Sequence, residues 1–174
     1  IVQRVLVHEH AHSWIPGDLG GLPEGADEAL GYWFSEGFTD FVTTRAGLLS
    51  GAWGVEDAIG QWNEFLSEYM ASPVPNPPNT AIGEGFWTSP DLQRLPYLRG
   101  KIFAALVDHV IRTRTGGEMD LDDVLLAMRR NPPEPDAASG FIEAVRVATG
   151  VDIADLFERH MIEGETITLP PDAF

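Results

Sequence analysis

The chain has 174 residues, 44% of them apolar, which suits one domain with a buried core. Its 27 acidic side chains against 11 basic ones give a formal charge of -16, which repels phosphate backbones and argues against nucleic acid as a partner. No apolar run reaches the roughly 18 residues of a membrane span, and the lack of cysteine leaves nitrogen and oxygen as the only metal donors.

The first helix is expected over residues 1–15, with Val2, Val5 and Leu6 at helical spacing and Pro16-Gly17 as the stop. A second pattern runs over 27–49, carrying Trp33, Phe34, Phe38, Phe41 and Val42 as an aromatic stripe. Gly31, Gly37 and Gly47 weaken its intrinsic propensity, so packing must hold it. A third helix is expected over 55–70. Residues 72–96 are rich in proline and read as a long loop. The remaining helices fill 97–163: one from Tyr97 to Thr115 stopped by Gly116-Gly117, one capped by Asp120 with Asp123 at the third position, and two more capped by Asp136 and Asp152. A short strand is expected at Glu165–Leu169. The fold expected is therefore all-α, mostly helical, with little or no sheet.

Residues 8–12 read His8-Glu9-His10-Ala11-His12, which satisfies H-E-x-x-H. Positions four apart on a helix share one face about 6 Å apart, so His8 and His12 can grip one metal. Glu9 lies beside that face, where it can polarise a water at the metal. His10 falls about 200° around the helix from His8 and is not counted as a ligand. A catalytic zinc takes three protein ligands and keeps one open position. Glu36, within WFSEGFTDF on the second helix, is the third candidate. Asp40 follows one turn later and can accept the N–H of a ligand histidine. The alternative is that both carboxylates are surface charges, but an aromatic stripe is an expensive place for an unpaired one.

HEHAHSW, then WFSEGFTDF, then RAGLLSG together resemble the gluzincin clan of zinc metallopeptidases, and within it the glycyl aminopeptidase family. That family's pattern is HEYFHxW, then AEGFTxYY, then RAGL. A further segment, PYLRGKIFAALVDHVIRTRTGG, is similar to the family's YxKGA helix start. The resemblance runs from about Val5 to Leu169. It implies the helical lobe of a thermolysin-like catalytic domain, one Zn2+ per chain on His8, His12 and Glu36, and Asp40 bracing His8. It also implies Glu9 as general base, Tyr97 as an oxyanion donor, and a peptide or protein substrate. Arg99 stands where the family has lysine, which keeps the charge and changes its geometry.

A tyrosine in the place of Tyr97 is by default a packing residue with a wet hydroxyl. His109 shares a face with Ile102, Ala105 and Leu106 and reads as a core or boundary residue. His160, in a last helical turn, reads as a complement to the helix dipole. The tryptophans read as core or pocket wall, and Phe86 and Trp87 are the aromatics expected nearest to substrate. Two rival functions stand beside peptide hydrolysis: a zinc-binding or interaction module without catalysis, and a related gluzincin hydrolase of non-peptide substrates such as epoxides. Retention of Glu9 argues against the first. The chain opens on Ile1 in mid-helix and is read as a fragment whose upstream domains belong to the same polypeptide. The face around Val2 and Leu6 is accordingly expected to be exposed or packed on a second copy, and the isolated fragment to hydrolyse peptides poorly.

Overall fold

The computed structural model describes residues 2–174, the side chains of Val2 and Ala26 excepted. Its α-helices are α1 (Val2–Ala11), α2 (Tyr32–Leu49), α3 (Val55–Ala71), α4 (Asn79–Gly85), α5 (Pro90–Arg114), α6 (Leu121–Arg130), α7 (Ala137–Thr149) and α8 (Ala154–Phe157). A single-turn 3-10 segment at Gly17–Leu19, a longer one at Gly25–Gly31 leading into α2, and a π-turn at Glu158–Ile162 complete the order. The fold is all-α, and the described residues contain no strand.

Helices α2 and α5 form the centre because each is buried around most of its circumference, as expected of a helix surrounded by partners. They approach closely where two glycines face each other. A Cβ on Gly37 would stand 2.3 Å from the Gly100 Cα, and one on Gly100 would stand 2.0 Å from the Trp33 carbonyl oxygen. The loss of helix propensity at those glycines is therefore the condition for backbone contact. Around the crossing, Trp33, Phe34, Phe38, Phe103 and Phe141 pack edge-to-face or stacked, with centroids 4.6–5.9 Å apart. Full burial of each such ring is worth roughly 1.5–3 kcal/mol. Helix α1 lies on α2, α3 lies on α5 and α2, and α6 and α7 pack on each other beside the pair.

The expected caps are largely present. The Asp120 side chain accepts from Asp122 N and Asp123 N, and Asp123 returns the bond to Asp120 N at 3.0 Å. Asp136 caps α7 through Ser139 N at 2.9 Å. Asp152 accepts from Ala154 N, but the helix it opens is a single turn that widens into the π-turn.

Other expectations are corrected. The 72–96 stretch is not one loop: it holds α4 and the first turns of α5. Ser89 caps α5 and Pro90 takes its first position, where a missing N–H is harmless. Pro96 sits inside the helix and removes one backbone bond, and the burial of Leu95 and Leu98 carries the helix through it. The first helix ends at Ala11 rather than near residue 15, although His12 N still bonds to His8 O at 3.3 Å. Glu165–Leu169 forms no strand, since it meets no other strand: Ile167 N donates to the Tyr69 hydroxyl at 3.1 Å instead. Leu6 and Val5 are exposed on α1 as expected, while Ile1 and the Val2 side chain lie outside what is described.

Candidate metal centre

Helix α1 projects His8 and His12 towards the face of α2 that carries Glu36 and Asp40. His8 Nε2 and His12 Nε2 are 3.0 Å apart, and each stands 3.3 Å from Glu36 Oε2. Three donors bound tetrahedrally to one zinc at about 2.05 Å would be about 3.4 Å apart. The three atoms thus already outline one face of a zinc tetrahedron, with the fourth vertex left for a non-protein ligand. Among the described residues they are the one His/Asp/Glu group close enough to hold an ion, and His10, exposed on α1, is not part of it.

The far nitrogens explain why both Nε2 lone pairs can point inward. His8 Nδ1 donates to Asp40 Oδ1 at 3.1 Å, and His12 Nδ1 donates to the Ile15 carbonyl at 2.9 Å. Each ring is thereby fixed in the tautomer that leaves Nε2 free. Asp40 is only 5% exposed. The Thr44 hydroxyl donates to the Asp40 carbonyl at 3.0 Å and accepts from Lys101 Nζ at 2.8 Å.

Without a metal, the three donors share protons instead. Burial lowers the His8 pKa, but hydrogen bonds to Asp40 and Glu36 and their charges outweigh it and carry the value up to about 9. The hydrogen bond to Glu36 raises His12. Glu36 is pushed up by burial, yet the two histidines hold it at about 2. Such mutual shifts are expected where two bases and a carboxylate are aimed at one point.

Glu36 also opens onto a cleft of about 660 Å3 whose walls include Tyr97, Arg94, Tyr32, Glu28, Phe86 and Trp87. The Tyr97 ring stacks alongside His8 with centroids 6.4 Å apart. Burial first, and then the nearby Glu36 carboxylate, push its hydroxyl up to about 12, so it stays a hydrogen-bond donor. Arg94 lies over the Tyr97 ring at 5.5 Å and is paired bidentately with Glu68 at 2.7 and 2.8 Å. The expected substrate-facing aromatics Phe86 and Trp87 are in this wall, 5.0 Å from one another.

Glu9 is on α1 beside the donor triangle, but it is exposed and does not line the cleft. Arg99 is buried and donates to the Pro77 carbonyl at 2.5 Å, away from the metal donors, with Nε and Nη1 lacking a protein partner. His109 is half-buried, 3.9 Å from Asp172. His160 lies in the last turn of the Glu158–Ile162 segment, as expected; its ring is buried and its Nδ1 donates to the Glu165 carbonyl at 2.9 Å, which also pins the tail. Sequence reasoning overlooked Glu28, Tyr32 and Arg94. The first two carried a signal, since residues 28, 32 and 36 recur every fourth position.

Compared with protein-family models and with curated proteins, the chain matches none.

Proposed function

We propose that this chain is the zinc-binding, helical part of a gluzincin-like catalytic domain that hydrolyses peptide bonds, aminopeptidase-type. The observation that carries the reading is the triangle of His8 Nε2, His12 Nε2 and Glu36 Oε2, with edges of 3.0, 3.3 and 3.3 Å, matched to a tetrahedral zinc. The motif similarity and the Tyr97 cleft opening from Glu36 support it further.

Zinc bound there would supply a Lewis acid that polarises both a water and the scissile carbonyl. The protein's own residues do the rest. Glu9 accepts the proton of the attacking water and returns it to the departing amine. The Tyr97 hydroxyl donates to the carbonyl oxygen as negative charge grows on it. Asp40 holds the His8 ring in register through Nδ1, while the Ile15 carbonyl does so for His12. Phe86 and Trp87 offer apolar contact to the substrate.

One observation favours a second reading, a zinc-binding module without catalysis: Glu9 is exposed and outside the cleft walls. A single substitution separates the two. In the zinc-loaded protein, Glu9→Gln is expected to keep zinc affinity and lower turnover of aminoacyl anilides or internally quenched peptides by roughly 100-fold or more. A wild-type protein that binds zinc and hydrolyses none of these substrates would favour the module.

A further inference from the structure

The wall of the cleft away from the metal donors carries an unbalanced negative charge. Tyr32 precedes Glu36 by one turn of α2, and Glu28, in the 3-10 segment Gly25–Gly31 that leads into α2, lines the same cleft. The Tyr32 hydroxyl donates to Glu28 Oε1 at 2.9 Å, which fixes the carboxylate in place. No cation among the described residues pairs with Glu28. The one basic residue in the wall, Arg94, is committed to Glu68 by two hydrogen bonds of 2.7 and 2.8 Å. Beside Glu28 stand aromatic faces: Tyr32 and Phe86 lie 4.7 Å apart, and Trp87, 73% exposed, follows at 5.0 Å from Phe86.

A fixed carboxylate in a concave site whose wall also carries three aromatic rings is suited to an organic cation, which gains both an ion pair and cation–π attraction. We propose that this end of the cleft is a specificity subsite for a basic side chain of the substrate, arginine or lysine, with Glu28 as its counter-ion and the exposed Trp87 as an aromatic face for the cation. The peptide nature of the substrate rests on the hydrolase reading above; the cation preference rests on the cleft alone. Position favours a side chain over a free α-amine. Four residues of 3-10 segment and four of α2 place Glu28 roughly 14 Å along the axis from Glu36, too far for the amine of a residue whose own carbonyl is attacked there, and better matched to a long side chain.

Binding, rather than turnover, tests it. With the zinc-loaded protein, the affinities of Nα-acetyl-arginine amide and Nα-acetyl-citrulline amide are compared by calorimetry or Trp fluorescence; the two ligands are near-isosteres that differ in charge and share a blocked amine. The arginine compound is expected to bind about tenfold tighter, the order that a partly exposed ion pair and a cation–π contact reach together. Glu28→Gln is expected to reduce the preference to within about twofold, and Trp87→Ala, at a position 73% exposed, to weaken arginine binding several-fold. Glu143→Gln, outside the cleft, controls for the general acidity of the chain and should change nothing. Equal affinities, no binding of either ligand, or a preference that survives Glu28→Gln would each overturn the subsite. A preference without any hydrolysis would leave the subsite standing and sink the hydrolase reading instead.

Discussion

At the scale of single residues, the contact between His8 and Asp40 joins protonation to metal binding. In the metal-free protein the His8 pKa is raised from 6.5 to about 9, so the stabilisation from its charged form is complete below pH 6.5 and is lost as pH rises through 9. Zinc needs the Nε2 lone pair that this proton occupies, so zinc affinity is expected to rise over the same interval, with proton release. Asp40→Asn is expected to bring His8 down towards 6.5 in an NMR titration and to weaken zinc binding about 10–100-fold. An unmoved His8 titration with full zinc affinity would show that Asp40 does not brace the ring. The four-residue spacings made it legible that Glu36 and Asp40 share a face and that Asp40 can accept from a ligand histidine, whereas the choice of His8 came from the family resemblance. Tyr32 and Glu28 lie four and eight residues before Glu36, but what makes them notable is the aromatic wall of Phe86 and Trp87. Those two aromatics are expected near substrate from the sequence, but they come from a distant stretch, so only tertiary placement puts them in one wall with Glu28 and Tyr32.

Among the elements, the α2–α5 crossing decides whether Glu36 and Tyr97 share a cleft, since α2 carries one and α5 the other. Gly100 lies at the contact. Gly100→Ala gains up to about 1 kcal/mol of helix propensity, but its methyl group would stand 2.0 Å from the Trp33 carbonyl oxygen, and backbone cannot yield as a flexible side chain does. Overpacking of this kind costs about 1–3 kcal/mol, so a lower melting temperature is expected despite the better helix former; an unchanged or higher one would mean that the helices can separate without loss. The helices themselves were readable where caps were strong, as with Asp120–Asp123 and Asp136. The start of α5 was not, because Pro96 reads as a helix breaker. Tertiary burial of Leu95 and Leu98 overrides that local signal. The misplaced end of the first helix and the absent strand at Glu165–Leu169 have the same origin: each depends on a partner that local sequence does not specify.

Across the whole molecule, electrostatics pull in two directions. The formal charge of -16 raises the local concentration of cations, which suits both a divalent metal and a basic peptide. Inside, Lys101 is buried against the Phe65 and Trp62 rings at 3.8 and 4.6 Å, and burial lowers its pKa to about 7. Its folded-state pKa lies below its unfolded value, so between pH 7 and 10.5 its titration adds stability as pH rises. The His8 contribution declines over the lower part of that range, and the two oppose each other there. The all-α character was legible from helical periodicity alone, whereas the balance of charge around the site required the packed structure. The central claim is that His8, His12 and Glu36 form one zinc site, and it is met most directly by titrating the metal-free protein with zinc at neutral pH and locating the ion by anomalous scattering. The expected result is one ion per chain at about 2.0–2.2 Å from His8 Nε2, His12 Nε2 and Glu36 Oε2, with tight binding lost in His12→Ala. Zinc bound elsewhere, or bound equally well after His12→Ala, would contradict it.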